Sequence, residues 1–372
     1  MTVSEQVDRP TVAVVGGGYG GTAVAKALDE TTDVVLIEPK DAFMHNVAAF
    51  RALVDPSWLP RIFLPYAGLL ANGRVVRDRA VSVAPGRVVT ASGEVIAADY
   101  VVLATGSSYP FPAKTDVVDT EHAFEQVRAA HRALSATDRV LLLGAGPVGI
   151  ELAGEIRAVW PDKSIVLLEE RADVLGGPFM PELRAELRRQ LEEFKIELLL
   201  GSPLREAPPT EPGTLGTFSV TTESGIGVSA DLWFRCYGVV PNSDYLGPVL
   251  SAARRADGYV EVGPTLQVTG QTTVFALGDL STADAKMAGF AGRQAATVAA
   301  NIAALASGNR ELADYQSAGT AIAVPIGPTG GAGQFPGQSE IVGREVVADV
   351  KGRHLMVDKF AQLFGLAVAA GE

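Results

Sequence analysis

The sequence predicts an α/β protein with two Rossmann-like, three-layer units, because two apolar strand-like runs each lead into a glycine-rich turn. The first run, Thr11–Val15, is followed by Gly16-x-Gly18-x-x-Gly21. The second run, Arg139–Leu143, is followed by Gly144-x-Gly146-x-x-Gly149, and the two motifs start 128 residues apart. An acidic residue ends the next apolar run after each motif, as in a βαβ unit that binds a dinucleotide.

The first unit reads as a strand, a turn, a helix over 21–28 and a second strand over 33–37 that ends in Glu38. Glu38 lies 22 residues after Gly16, where a carboxylate would bind a ribose hydroxyl. Short strands between 74 and 104 follow it.

The second unit repeats this order with a helix over 147–159 and a strand over 164–168. Glu169 lies 25 residues after Gly144. A carboxylate there accepts a hydrogen bond from a free 2′-hydroxyl and repels a 2′-phosphate, which favours NADH over NADPH. Arg171 is close enough to bind a phosphate, so NADPH stays open.

The remaining segments suggest a discontinuous first domain. A strand over 273–277 runs into Gly278-Asp279, and an Ala-rich helix covers 285–306. We therefore predict an FAD-binding domain from 1–110 and 241–308, an NAD(P)H-binding domain over 111–240, and a small C-terminal α+β segment over 309–372. Because this last segment is too short to bury a robust core alone, we expect it to close the acceptor side of the flavin. It ends in the apolar stretch 360–370.

Glycine turns of this kind bring backbone N–H groups and a helix N-terminus up to a pyrophosphate, so two of them imply two dinucleotides and electron transfer between them. Asp279 would then accept a ribityl hydroxyl. The helix terminus around Lys286-Met287-Ala288 would face the flavin pyrimidine and stabilise an anionic reduced flavin. His45 and Asn46 are interpreted either as groups that contact the flavin edge or relay a proton there, or, for His45, as a side chain that caps local backbone.

Composition narrows the function further. The net charge of −12 argues against nucleic acid as a partner. With Cys236 as its single cysteine the chain can form neither a disulfide nor a dithiol relay, and four histidines form no metal pattern. Because residues 1–8 have no basic and apolar signal pattern, we expect a cytoplasmic location, with peripheral membrane contact as an alternative.

Several further motifs give the chain a family resemblance. Ala104-Thr-Gly-Ser107 and Phe275-Ala-Leu-Gly-Asp279, with the two fingerprints, resemble the FAD-dependent pyridine-nucleotide oxidoreductases, a group that includes glutathione reductase and type II NADH dehydrogenases. A narrower set is similar to the apoptosis-inducing-factor-like NAD(P)H:quinone reductases of the ferroptosis suppressor protein type. It comprises Asp41–Ala52, Phe111–Lys114, Lys286–Ala288 and Lys351–Leu355.

The resemblance implies a glutathione-reductase-like fold and a set of site residues. Taken together, the motifs and the resemblance give these candidate cofactor contacts beside Glu38 and Glu169: Gly16, Gly17, Gly18, Tyr19, Gly20, Gly21, Arg51, Val75, Ala104, Thr105, Gly106, Lys114, Gly144, Gly146, Gly149, Gly278, Asp279, Met287 and Ala288. The resemblance places Glu151 near the nicotinamide and makes His45, Asn46 and Lys286 the catalytic candidates. It also leaves open a chemically modified flavin.

The function this implies is hydride transfer from NAD(P)H to FAD and electron transfer from FAD to a quinone, without a redox disulfide. Two alternatives stay open: reduction of a ferredoxin- or rubredoxin-type protein, and an NADH-sensing flavoprotein that acts through partners. A homodimer is a further alternative to a monomer. The stretch 323–333 and the residues after 356 depart from the family and are expected to line the acceptor pocket.

Overall fold

The computed structural model describes residues 9–367. The predictions for residues 1–8 and for the last part of the apolar stretch 360–370 lie outside the described residues. The first part of the chain contains ten strands and three helices: β1 (Thr11–Val15), β2 (Asp33–Ile37), β3 (Ala42–Met44), β4 (Phe63–Pro65), β5 (Arg74–Val76), β6 (Ala80–Ala84), β7 (Arg87–Thr90), β8 (Val95–Ala97), β9 (Tyr100–Leu103), β10 (Ser107–Ser108), α1 (Tyr19–Leu28), α2 (Ala49–Val54) and α3 (Leu59–Ile62).

The middle part contains the second glycine motif. Its elements are α4 (Thr120–Ser135), β11 (Arg139–Leu143), α5 (Pro147–Val159), β12 (Ser164–Leu168), α6 (Pro181–Glu193), β13 (Glu197–Leu199), β14 (Phe218–Thr221), β15 (Gly227–Ala230), β16 (Leu232–Arg235) and β17 (Val240–Pro241).

The last part returns to the first unit and then adds a small segment. Its elements are α7 (Pro248–Ser251), β18 (Val274–Ala276), α8 (Ala288–Ala306), β19 (Ile322–Ile326), β20 (Gly330–Gln334), α9 (Arg344–Val347) and α10 (Val357–Leu363). A π-helical turn, Ala348–Gly352, follows α9 directly.

The first sheet is parallel, with the strand order β18-β9-β1-β2-β5. Its central strands are buried on both faces, which is why they read as continuous apolar runs rather than alternating ones. The order reverses between β1 and β9, and ligands of open parallel sheets bind at such a point, beyond the carboxyl ends of the strands.

The second sheet repeats this arrangement with the order β13-β12-β11-β16, again parallel. The two passages of the chain between the units pair as β10 and β17 in a short antiparallel ribbon. Both sheets confirm the predicted α/β fold. The predicted start of α8 is three residues early, because Met287 is extended (φ −142°) and the helix begins at Ala288.

The C-terminal segment 309–367 packs into the cores of both units. Val324, Ile326 and Ala332 of the hairpin β19–β20 are buried against the second unit. Phe364, after α10, is fully buried in the core of the first unit, beside the rings of Phe43 and Tyr66. The segment therefore joins the two units.

Candidate active site

A single cavity of about 1190 Å³ runs from the first glycine turn to the C-terminal segment. It begins at the carboxyl ends of β1 and β2, passes the start of α8, and ends between α5 and the hairpin β19–β20. Of the predicted site residues, the following line it: Gly16, Gly17, Gly18, Tyr19, Gly20, Glu38, Asn46, Ala104, Thr105, Gly106, Lys114, Glu151, Gly278, Asp279, Lys286, Met287 and Ala288.

The first glycine turn has the shape that a pyrophosphate requires. Gly16 has φ +102°, and a Cβ atom there would lie 2.5 Å from the Ala104 carbonyl oxygen. A Cβ atom on Gly21 would lie 1.9 Å from the Gly16 carbonyl oxygen, so Gly21 is buried beneath the turn instead of lining the cavity. The N-terminus of α1 has no side-chain cap and no acidic residue in its first turn, which leaves its N–H groups and positive end for an anion.

Glu38 is held at the end of β2 by the turn itself. Its carboxylate accepts hydrogen bonds from the backbone N–H of Gly17 at 2.7 Å and of Lys40 at 3.0 Å. On the other side, the buried Tyr66 hydroxyl donates to the Gly17 carbonyl at 2.8 Å. Glu38 and Tyr66 together fix Gly17, so the Glu38 carboxylate and the turn form one unit.

Asp279 lies where β18 ends, with its carboxylate in the cavity wall. It accepts hydrogen bonds from the Ser107 hydroxyl at 2.7 Å and from the Lys114 ammonium at 3.1 Å. Lys114 also donates to the Ser107 carbonyl at 2.7 Å. This cluster joins the predicted flavin motif of β18 to the segment that follows β10.

The N-terminus of α8 is open to the cavity, with Met287 as its uncapped N-cap residue. Lys286 precedes it and donates to the carbonyls of Ser281 and Asp284, the latter at 2.9 Å, while its ammonium lies 4.6 Å from the centre of the Tyr259 ring. Burial lowers the pKa of Lys286. A positive group and a helix N-terminus thus lie together at this point of the cavity.

The structure separates His45 from Asn46. Asn46 lines the cavity, but His45 is completely buried behind it and does not line it. The ring nitrogens of His45 bond the Tyr19 hydroxyl at 3.0 Å and the Leu355 carbonyl at 2.6 Å. Burial lowers the pKa of His45 to about 4. This placement corrects the expectation of a proton relay at the flavin edge: His45 is a neutral tie between the first unit and the C-terminal segment.

Arg51 and Val75 also lie outside the cavity lining, contrary to the expected flavin contacts. The Arg51 guanidinium donates instead to the Glu155 carboxylate of α5, at 2.5 and 2.8 Å. Val75 is on the outermost strand of the first sheet, β5, and packs its side chain on the core.

The second glycine turn reproduces the geometry of the first. Gly144 has φ +105°, and a Cβ atom on Gly149 would lie 1.9 Å from the Gly144 carbonyl oxygen. The Glu169 carboxylate accepts from the N–H of Ala145 at 2.9 Å and of Arg171 at 3.1 Å. Gly144, Gly146, Gly149 and Glu169 lie outside the cavity lining, but α5, which begins at this turn, extends into the cavity wall.

An ion pair lies where α5 meets the C-terminal segment. The Lys351 ammonium donates to Glu151 at 2.7 Å and to the Ala323 carbonyl at 3.2 Å. Both side chains line the cavity, and they are only 17% and 13% exposed. Burial raises the pKa of Glu151, and the Lys351 charge opposes this rise. The pair places a titratable carboxylate in a largely apolar part of the cavity.

Cys236 is buried after β16, and burial raises the pKa of its thiol to about 12. Within residues 9–367 no group of His, Cys, Asp or Glu has the arrangement of a metal site. Over the same residues, no helix has both the length and the apolar character needed to cross a bilayer.

Sequence reasoning missed Tyr66 in the cavity wall and Glu155 behind it, and named Lys351 only within a family motif. Tyr66 lies in a short turn with no motif around it, and its contact with Gly17 joins residues 49 positions apart. Glu155 gave a local signal, since it follows Glu151 by four residues on one face of a helix. The distance of 200 residues between Glu151 and Lys351 hides their pairing.

Comparison with known proteins agrees with this geometry. The sequence profile of the pyridine nucleotide-disulphide oxidoreductases matches residues 10–303. The chain is 31% identical over 360 residues to ferroptosis suppressor protein 1 of Taeniopygia guttata, covering 95% of both chains. It is 28% identical over 373 residues to apoptosis-inducing factor homolog B of Dictyostelium discoideum, covering 95% of this chain and 96% of that one.

The fold is also similar to that of the sulfide:quinone oxidoreductase from the hyperthermophilic bacterium Aquifex aeolicus. The TM-score is 0.76 at 18% identity, over 95% of this chain and 91% of that one. Two glycine-rich turns on two parallel sheets, and a cavity that runs from the first turn to α5 of the second unit, are thus found together with a profile match over most of the sequence. The chain belongs to the pyridine nucleotide-disulphide oxidoreductase family and, within it, groups with ferroptosis suppressor protein 1 and the apoptosis-inducing factor homologs.

Proposed function

We propose that this protein is an FAD-dependent NAD(P)H:quinone oxidoreductase that works without a redox disulfide. The observation that carries the proposal is one continuous cavity. It contains a pyrophosphate-binding turn at one end, the Asp279 cluster and a helix N-terminus in the middle, and the Glu151–Lys351 pair at the other end. This order of groups matches an extended dinucleotide, FAD, whose flavin ring would be open to NAD(P)H and to the quinone.

The residues present fit FAD. Glu38 would bind the ribose of its adenosine half, the α1 N-terminus its pyrophosphate and Asp279 its ribityl chain, with the α8 N-terminus beside the ring. Bound there, FAD supplies the capacity to accept a hydride from NAD(P)H and to pass the electrons to an acceptor. The positive end of α8 together with Lys286 stabilises negative charge at its position, which favours the reduced form of the ring.

Glu151 and Lys351 are the residues that we assign to the nicotinamide and acceptor end of the cavity. A buried carboxylate with a raised pKa, bonded to an ammonium, can hold or release a proton next to a quinone oxygen. Two-electron reduction of a quinone to a hydroquinone takes up two protons. The pair is therefore placed to contribute a proton within a region that the C-terminal segment shields from water.

The wall that the C-terminal segment adds to the cavity favours an apolar acceptor. Apart from Lys351, its members are apolar: Ala318, Ala321, Ile322, Ala323, Phe335, Pro336, Val350 and Met356. A ring with an apolar tail would bury its surface against this wall, whereas a ferredoxin-type protein would need a charged docking face. We therefore favour a quinone.

We propose NADH as the preferred donor, with NADPH as a weaker one. The Glu169 carboxylate is held at the second glycine turn, where a 2′-phosphate would meet its negative charge. Arg171 follows two residues later and would offset part of this repulsion.

Three separate hypotheses concern location and assembly. Cell fractionation tests a cytoplasmic location, liposome sedimentation tests peripheral contact with a membrane, and light scattering tests a homodimer.

The test of the function has two half-reactions. Purified protein should carry or take up FAD, NADH should bleach its absorbance near 450 nm in the absence of oxygen, and ubiquinone or menaquinone analogues should restore it. A protein that takes up no FAD would contradict the whole proposal. Bleaching by NADH without reoxidation by any quinone would contradict the quinone step alone and favour a protein acceptor or a sensor.

A further inference from the structure

A buried ion pair joins α2 to α5 outside the cavity. Arg51 donates from Nε and Nη2 to the two carboxylate oxygens of Glu155, at 2.5 and 2.8 Å. The Arg51 side chain is 10% exposed and that of Glu155 5% exposed. Removing two charges from water is costly, so a pair of this kind contributes little net stability by itself. The pair therefore matters less for the stability of the fold than for the segments that it connects.

Arg51 also holds the C-terminal segment. Its Nη2 donates to the Gly352 carbonyl at 2.9 Å, at the end of the π-helical turn. The Trp58 ring covers the guanidinium, with 5.0 Å between its centre and the Arg51 Cζ atom. One side chain thus contacts the first unit, the second unit and the C-terminal segment.

Both anchors of Arg51 adjoin the cavity pair. Glu155 follows Glu151 by four residues, so both lie on the same face of α5, one turn apart. Gly352 is the residue after Lys351. The guanidinium therefore fixes the helix that carries Glu151 and, at the same time, the turn that carries Lys351.

We propose that Arg51 is a positioning residue that sets the Glu151–Lys351 pair in register with the flavin, an inference that rests on the proposed function. It acts through α5 and the π-helical turn, not by contact with cofactor or substrate. A guanidinium is required because its planar fork binds both carboxylate oxygens and the carbonyl at once, whereas a lysine ammonium is a single point.

The first test compares two Arg→Lys variants of FAD-loaded protein. Arg51→Lys should lower the limiting rate of flavin reduction by NADH, or of its reoxidation by a quinone, by about 10- to 100-fold, because small misplacements of reacting groups have effects of this size. The dissociation constant for NADH should change by less than about threefold. Arg344→Lys is the matched control, since Arg344 also bonds both oxygens of a glutamate, Glu193, but at the surface and between α9 and α6. It should leave both rates within about twofold.

The second test removes both buried charges at once. Arg51→Met with Glu155→Leu leaves no unpaired charge, so the double variant should fold and bind FAD. It should still show the reduced limiting rates, and the pH dependence of the rates should shift because the Glu151–Lys351 pair is no longer held. A double variant with FAD, wild-type rates and a wild-type pH profile would overturn the proposal.

A third measurement is independent of activity. In the apoprotein, hydrogen exchange over 348–356 and 151–155 should be faster in the double variant than in the wild type, and unchanged in Arg344→Lys. Unchanged exchange in both variants would contradict the positioning role even if the proposed oxidoreductase activity were absent.

Discussion

The contact between α5 and the C-terminal hairpin gives a prediction whose size follows from the geometry. Gly154 lies in the middle of α5, and the chain of β19–β20 passes directly over it. A Cβ atom on Gly154 would lie 2.3 Å from the Gly327 nitrogen and 2.5 Å from the Ile326 carbonyl carbon. Non-bonded heavy atoms are normally about 3.5 Å apart. Gly154→Ala should therefore push the hairpin away by roughly 1 Å.

The expected change in stability is the balance of two effects. Overpacking of a close contact costs about 1–3 kcal/mol, while replacing glycine by alanine inside a helix returns about 0.5–1 kcal/mol. Gly292→Ala in α8 is the matched control, because nothing lies within 4 Å of its Cβ position and only the helix effect applies. The unfolding free energy of Gly154→Ala should thus be lower than that of Gly292→Ala by about 1–3 kcal/mol.

The assay is thermal and urea unfolding of the two FAD-loaded variants side by side, together with both half-reactions. Displacement of the hairpin moves Ile322 and Ala323, which line the cavity, and Ala323 accepts a hydrogen bond from Lys351. Quinone reoxidation should therefore slow more than reduction by NADH. Equal unfolding curves for the two variants would refute the close contact, and equal half-reactions would refute its link to the acceptor site.

Three further predictions concern single residues of the site. Asp279→Ala should weaken FAD binding by about tenfold, or 1.4 kcal/mol, because Lys114 and Ser107 lose their common acceptor; equal flavin content after dialysis would count against this. Glu169→Ala should reduce the ratio of kcat/KM for NADH over NADPH by about tenfold, and a constant ratio would show that Arg171 sets the preference. The His45 pKa is lowered to about 4, so the unfolded chain binds a proton that the native state does not. Stability should then fall by up to about 3 kcal/mol from pH 6.5 to pH 4; His45→Gln should flatten this part of the curve, and an unchanged slope would argue against a buried neutral ring.

The βαβ units could be predicted because their signals are local. The two glycine turns, the strands that precede them and the acids that follow them all lie within about 30 residues, and the structure has both units as predicted. One cavity is lined by the residues of the first turn, by Asp279 and by the α8 N-terminus. Each of them follows the end of a strand of the same parallel sheet, which is why they lie together.

The positions of His45 and Arg51 could not be read from the sequence. Each is in a segment that resembles the family motif, and both side chains turn toward partners more than 100 residues away, Leu355 and Glu155. Burial decides their roles, and burial depends on how the C-terminal segment packs. A motif predicts which residues are near a site more reliably than which of them face it.

The order of the strands along the chain has a consequence for synthesis on the ribosome. β9 ends at Leu103, but its neighbour β18 begins at Val274, and Phe364 fills the same core later still. The whole second sheet lies between these points, so the middle unit can fold while the first is incomplete. At about 5–20 residues per second, the exposed edge of β9 waits roughly 10–30 s for its partner. An unpaired apolar edge is a template for aggregation, so the nascent chain should depend on chaperones more than the finished protein does.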